Sequence, residues 1–144
     1  YVLNELDCTI TPFRYGPRQG SLEPLPPRST LPEGDKPRPR DTTAEISMHP
    51  SGKFLYASIR GRNSIAVFSI DTASGQLKWV EQESTRGKTP RHFAIDPAGQ
   101  FLLAANQESN SIVVFRIGSD SGALEPTEHT LDVPAPVCVV FFHP

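Results

Sequence analysis

The sequence predicts an all-β chain assembled from repeated four-stranded antiparallel sheets, and three observations carry that expectation. A segment recurs: across 54–77 and 101–124, twelve of 24 positions are identical without a gap, at an offset of 47 residues. Proline and glycine are abundant, 15 and 10 of 144 residues, a content that disfavours a helical bundle. The recurring apolar runs, Ser64–Ile70 and Ser111–Ile117, are β-branched and aromatic and are bounded by turn residues.

Taken in order, the chain opens on a strand at Tyr1–Leu6. Tyr1–Leu22 is an earlier, weaker copy of the repeat at an offset of 55, aligning Ile10 with Ile65, Phe13 with Phe68, Gly20 with Gly75 and Leu22 with Leu77. The extra eight residues belong to Pro26–Asp41, which holds five of the fifteen prolines and no hydrophobic period. Proline removes donors and fixes φ, so this stretch is expected as an extended surface loop, with a domain linker as the alternative. The first complete unit has four strands, Glu45–His49, Phe54–Ile59, Ser64–Ile70 and Gln76–Gln82, with a tight turn at Pro50-Ser51-Gly52 and a hairpin loop over Asp71–Gly75. A second unit follows, and Pro136–Pro144 forms only a first strand.

A repeat of about 40–50 residues with four short antiparallel strands is the mark of a β-propeller blade. A solenoid is the competing architecture, but its repeats are usually shorter or helical. The expected organisation is a β-propeller fragment of about three blade equivalents: a partial blade (1–25), a Pro-rich loop (26–43), two blades (44–83 and 91–131) and one strand of a closing blade (136–144). Such a set is too small to close a ring, for which about four blades is the minimum, so the sequence reads as the C-terminal part of a longer protein.

Composition narrows the function. Fourteen Lys and Arg against sixteen Asp and Glu give a net charge of −2, which advertises neither nucleic acid nor an acidic membrane surface as partner. No apolar run approaches the roughly 18 residues of a membrane span. Two cysteines, Cys8 and Cys138, make neither a disulfide framework nor a CxxC metal site. Glycine-rich phosphate loops and His/Asp/Glu clusters at ligand spacing are missing from the sequence, so no metal and no cofactor is expected.

Several motifs come in a telling order: Tyr1-Val2-Leu3-Asn4-Glu5-Leu6, Ala44-Glu45-Ile46 followed by Pro50-x-Gly52-x-Phe54-Leu55-Tyr56, Ser58-Ile59-Arg60-Gly61, Pro90-Arg91-x-Phe93 and Leu103-Ala104-Ala105-Asn106-Gln107. Over nearly the whole chain they resemble the lactonase family of seven-bladed propellers, which includes bacterial 6-phosphogluconolactonases and the related fungal muconate lactonizing enzymes. The resemblance implies a carboxylic-ester hydrolase opening 6-phospho-D-glucono-1,5-lactone, a cytoplasmic step of the pentose phosphate pathway, with the missing blades lying N-terminal to this chain. One departure is Ile59, where the family usually carries a polar residue, often Asn. The alternatives are a muconate-type lactonizing enzyme and a non-catalytic propeller used as a binding platform.

Repeat equivalence locates the chemistry independently of the family. Consecutive strands are antiparallel, so the start of a blade's first strand lies beside the end of its second. First-strand starts carry Ala44/Glu45, Arg91/His92 and Cys138/Val139; second-strand ends carry Asn4/Glu5, Ile59/Arg60 and Asn106/Gln107. Packing positions such as Phe68 and Phe115 repeat, whereas these end positions change charge from blade to blade, as one ligand in a central mouth requires. Glu5, Arg60 and Arg91 are the expected catalytic set: Glu5 as base or water-orienter, the arginines on the developing oxyanion and an anionic substituent. Glu45, His92, Asn106 and Gln107 are expected to bind substrate, Glu45 by orienting the arginines and the two amides by holding sugar hydroxyls.

Other reactive residue types receive structural readings. His49 takes the turn position of Asp96; His129 and His143 are incidental; Ser64 and Ser111 serve strand starts; Cys8 at a loop tip and Cys138 at a strand start are small tolerated residues; Trp79 packs the outer blade. The Pro-rich loop is expected to rise over the mouth and bring Arg38 or Arg40 to a bound anion. The chain alone, with unpaired strand edges, is expected to be aggregation-prone and inactive.

Overall fold

The turns show why the repeat folds as it does. Gly20, Gly75 and Gly122, equivalent in the three copies, have φ of 65°, 72° and 72°, the left-handed region that favours glycine in a tight hairpin. Between second and third strands the same conformation is taken by Cys8, Asn63 and Asn110, with φ of 54°, 52° and 53°. Asparagine tolerates this region well. Cys8 holds the position at the turn where the sequence puts it, and its side chain is buried.

The computed structural model describes residues 1–142. It contains thirteen strands: β1 (Val2–Asn4), β2 (Thr9–Thr11), β3 (Phe13–Gly16), β4 (Ser21–Pro24), β5 (Arg28–Ser29), β6 (Thr43–Met48), β7 (Phe54–Ile59), β8 (Ser64–Ile70), β9 (Leu77–Ser84), β10 (Pro90–Ile95), β11 (Phe101–Asn106), β12 (Ser111–Ile117) and β13 (Leu124–Asp132). Two complete four-stranded sheets, β6-β7-β8-β9 and β10-β11-β12-β13, are antiparallel meanders. The first blade lacks an innermost strand and is split, β1-β2-β5 in one ladder and β3-β4 in another. Pro12, between β2 and β3, has no N–H to continue the ladder and marks the break.

Two boundaries differ from the sequence expectation. The outer strand of the first blade extends into the Pro-rich stretch as β5, where Thr30 and Leu31 are also buried, so the loop proper begins after Leu31. Thr30 donates its N–H and its hydroxyl to the Cys8 carbonyl, as Thr85 does to Asn63. Residues 136–142 form no strand among the described residues; Val139 instead donates its N–H to His92. Cys138 is accordingly exposed beside that imidazole rather than at a strand start. His143 lies outside the described residues.

The core lies between blades. Alternation along β7 and β8 sends Phe54, Tyr56, Ile65 and Val67 toward the last blade, against Phe93, Leu102, Val113 and Phe115. It sends Leu55, Ala57, Ile59, Ala66 and Phe68 toward the first blade, against Ile10 and Leu31. Strands buried on both faces explain why β7 reads as a continuous apolar run. One blade-to-blade hydrogen bond is repeated: Tyr1 Oη donates to the Gly75 carbonyl at 2.7 Å and Tyr56 Oη to the Gly122 carbonyl at 2.8 Å. His49, in its turn, accepts the Ser51 N–H on Nδ1 and reaches the Gly99 carbonyl of the next blade through Nε2 at 2.8 Å. Trp79 packs edge-on against Phe68 on the outer side. No helix among the described residues is long and apolar enough to cross a membrane.

Candidate functional site

Strand β6 lies beside β1 on one side and beside β10 on the other, which brings three blade ends to one rim. At that rim both complete blades carry a β-bulge at the same place. The β6–β7 register slips between Thr43 and Ile46, and the β10–β11 register slips between Pro90 and His92. Bulges re-aim side chains, and these two fall on Ala44/Glu45 and on Arg91, whereas His92 stays paired with Ala105. Glu45 and Arg91, two of the positions that vary in charge between repeats, are therefore ones the backbone turns out of the ladder.

Glu5, Arg60 and Arg91, with Leu3, Thr43 and Ala44, line one cavity of about 260 Å³. Glu5 forms an ion pair with Arg60. Arg60 Nη2 also donates to the Thr43 carbonyl at 3.0 Å, which anchors the guanidinium to the start of β6. Its Nε is buried without a partner among the described residues, so the guanidinium keeps donor capacity. Beside this trio, His92 Nε2 stands 3.3 Å from Glu45 Oε2. Because Val139 donates to Nδ1 at 3.2 Å, the neutral imidazole carries its proton on Nε2, toward Glu45. Glu45 thus orients His92 rather than an arginine, a departure from the expected role.

The two amides part company. Gln107 is half-buried at the start of a one-turn 3₁₀ segment, Gln107–Ser109, where its N–H is held by the Thr89 carbonyl. Asn106 is fully buried, and its Nδ2 donates to the Thr85 carbonyl at 3.0 Å. A Cβ on Gly87 would come within 2.4 Å of the Asn106 side chain, so the missing side chain at Gly87 makes room for it. Ile59, equivalent to Asn106, is equally buried in the gap between blades. The residue before Arg60 or Gln107 therefore packs blade against blade, and Asn106 is withdrawn from the sugar-binding role the sequence suggested. A buried side chain under a glycine leaves no local signal in the sequence.

The sequence reading also missed Arg62. Its guanidinium clasps the Pro-rich strap: Nε to Asp41 Oδ2 at 2.8 Å, Nη1 to Asp35 Oδ2 at 2.5 Å and Nη2 to the Lys36 carbonyl at 3.2 Å. Burial pushes the Asp41 carboxyl up, but the Arg38 N–H and the Arg62 guanidinium outweigh it and hold it below the ordinary carboxylate range. Gly61, between Arg60 and Arg62, seats the strap, since a Cβ there would lie 2.1 Å from the Arg40 carbonyl oxygen. The strap so held divides its arginines. Arg40 joins Glu5, Arg60, Lys88, Thr89 and Glu108 around a second cavity of about 700 Å³, whereas Arg38 lines a separate one with Arg62 and Gln82.

Comparison with known proteins identifies the family. Residues 1–141 match the family described as lactonase, 7-bladed beta-propeller. The chain is 35% identical over 143 residues to the 6-phosphogluconolactonase of Bacillus subtilis, covering 99% of this chain and 40% of that protein. It is 43% identical over 97 residues to the 6-phosphogluconolactonase of Formosa agariphila, covering 66% of this chain and 26% of that protein. Among solved structures, a Lactobacillus plantarum protein superposes with a TM-score of 0.90 at 33% identity, covering 98% of this chain and 40% of the other. The periplasmic gluconolactonase PpgL of Pseudomonas aeruginosa superposes with a TM-score of 0.82 at 33% identity, covering 92% and 36%. The chain spans about 40% or less of the length of these relatives. With matching motifs, blade architecture and family match in hand, the chain belongs to the lactonase family of seven-bladed β-propellers.

Proposed function

We propose that this chain supplies part of the active-site mouth of a lactone hydrolase acting on 6-phospho-D-glucono-1,5-lactone. The observation that carries the reading is the convergence of Glu5, Arg60 and Arg91, one from each blade, on a single cavity. In this reading the remaining wall comes from blades beyond this chain, N-terminal to it. A phosphorylated sugar lactone as substrate goes with a cytoplasmic location.

The chemistry uses the pair already in place. In the resting site Arg60 occupies the Glu5 carboxylate. When the lactone carbonyl oxygen draws Arg60 away, Glu5 is freed beside the attacking water and takes its proton as the water oxygen bonds to the carbonyl carbon. Arg60 and Arg91 then stabilise the tetrahedral oxyanion. As the intermediate collapses, the carbonyl–ring oxygen bond breaks and Glu5 returns the proton to the departing oxygen, leaving the open hydroxy acid. Glu45 and His92 fix the neighbouring wall, with Gln107 available to a sugar hydroxyl. The rim presents charged and amide side chains rather than exposed aromatics, which weighs against a protein-binding platform.

The experiment is proton release from 6-phosphogluconolactone in a pH-stat, corrected for spontaneous hydrolysis, with the protein that carries this chain. Arg60→Ala is expected to lower kcat by about 100-fold, the loss of one oxyanion contact worth about 3 kcal/mol. Wild-type turnover no faster than the uncatalysed reaction would overturn the proposal.

A further inference from the structure

The larger cavity is not needed for ring opening, yet it adjoins the smaller one by sharing Glu5 and Arg60. Its volume of about 700 Å³ is that of a cleft for a small ligand. Three cationic side chains line it, Arg40, Arg60 and Lys88, against two carboxylates, Glu5 and Glu108. Arg60 and Glu5 are paired with each other. Among the described residues the side chains of Arg40 and Lys88 make no ion pair and no hydrogen bond, so these two cations face the cavity uncommitted.

Both are carried on fixed backbone. Lys88 is pinned to the 3₁₀ turn: its N–H donates to Ser109 Oγ at 2.8 Å and its carbonyl accepts the Glu108 N–H at 3.2 Å. Arg40 follows Pro39 in the strap, where Pro37 and Pro39 restrict the backbone around it. The strap is fastened by Arg62 through Asp35, Asp41 and the Lys36 carbonyl, and lies flush on Gly61. A segment of eight extra residues with no counterpart in the other repeats is thus held at both charge and contact level, and what it delivers to the cavity is a guanidinium.

We propose that Arg40 and Lys88 form a subsite for the phosphate monoester of the substrate, with Arg62 as the positioning residue that holds Arg40 in place. This rests on the lactonase reading and extends it: the smaller cavity handles the lactone carbonyl, and the strap-and-turn cavity handles the phosphate. Guanidinium offers paired donors to phosphate oxygens and Lys88, carried on a different loop, adds a point charge.

The test compares kcat/KM for 6-phosphogluconolactone with that for unphosphorylated glucono-1,5-lactone. The ratio is expected to fall about tenfold in Arg40→Ala and in Lys88→Ala, and about 100-fold in the double variant, mostly through KM. Arg62→Ala is expected to lower the ratio like Arg40→Ala, and Arg62→Lys to restore it only in part, since an ammonium cannot span Asp35 and Asp41 together. Arg14→Ala, on the distant outer sheet, controls for lost charge and leaves the ratio unchanged. A ratio that stays within twofold in the double variant overturns the subsite. Calorimetric titration with 6-phosphogluconate separates this from failure of the lactonase reading. If the protein turns over neither lactone, binding that weakens in the double variant still supports the phosphate subsite, and equal binding refutes it.

Discussion

Replacing Tyr56 and Tyr1 by phenylalanine, one at a time, removes the same blade-to-blade hydrogen bond in two environments. Tyr56 is fully buried, and its Oη meets the Gly122 carbonyl at 2.8 Å; Tyr1 is 39% exposed, and its Oη meets the Gly75 carbonyl at 2.7 Å. The bond itself contributes about 1 kcal/mol net in either place. What differs is the fate of the abandoned carbonyl. Beside Tyr1, water takes the vacated lone pair, and the expected loss is that net value of about 1 kcal/mol. Beside Tyr56 the carbonyl is left unpaired in the interior, which adds a desolvation cost and brings the loss to about 2 kcal/mol. Burial first, then the nearby Glu81 carboxylate, push the Tyr56 phenol well above its ordinary range. It therefore donates throughout the neutral range, and the difference between the variants is expected to hold from about pH 5 to 9. The assay is urea unfolding followed by tryptophan fluorescence, since Trp79 reports on the blade that contains Tyr56, with the midpoint shift read at unchanged slope. Equal losses for the two variants, or a loss below about 0.5 kcal/mol for Tyr56→Phe, would refute the reasoning from burial.

Two further outcomes follow from the strap. The Asp41 carboxyl titrates below its ordinary value in the folded chain, so its contribution to stability is complete above about pH 4 and is lost as pH falls below that. Asp41→Asn is expected to flatten this acid limb in urea midpoints taken from pH 3 to 6, and an unchanged limb would assign the acid sensitivity to other carboxylates. Gly61→Ala drives a Cβ into the Arg40 carbonyl and is expected to lift the strap, read as faster proteolytic cleavage within 32–40 with the blades still folded. Wild-type cleavage rates would show that the strap yields without detaching.

The sequence made the frame legible because the frame is repetitive. Each blade must bury both faces, so β-branched runs, positive-φ turn residues and inter-blade contacts recur at a fixed spacing, and β7, β8, β11 and β12 fall where the pattern puts them. The position of Arg60, Glu5 and Arg91 on one cavity was also legible, from charge that varies where packing does not. Three features were not. Asn106 reads as a mouth residue by repeat position but is buried, because Gly87 leaves room beneath the next turn. Arg62 joins groups 21 and 27 residues away in sequence, a pairing no local period encodes. Lys88 and Glu108 meet the cavity only because the linker after β9 is laid over the turn after β11.

The turn after each second strand shows how a repeated frame can serve a single asymmetric ligand. Its first residue is Glu5, Arg60 or Gln107 in the three blades, negative, positive and neutral, with each preceding residue given over to packing or local hydrogen bonds. The residues that follow diverge further. In the first blade Asp7 accepts the Thr9 hydroxyl and closes the turn on itself. In the last, Gln107–Ser109 coils into a 3₁₀ turn that fastens Lys88. In the middle blade Gly61 and Arg62 receive the strap, so one tripeptide faces the smaller cavity with Arg60 and fastens the strap beside the larger one with Arg62. Strand-to-strand packing tolerates any of these solutions, because their side chains lie past the paired apolar strands, while the backbone stays tied in: the Arg60 and Gln107 N–H groups donate to the Thr42 and Thr89 carbonyls. A fixed backbone with side chains outside the apolar layers is what lets charge differ from blade to blade while those layers remain the same.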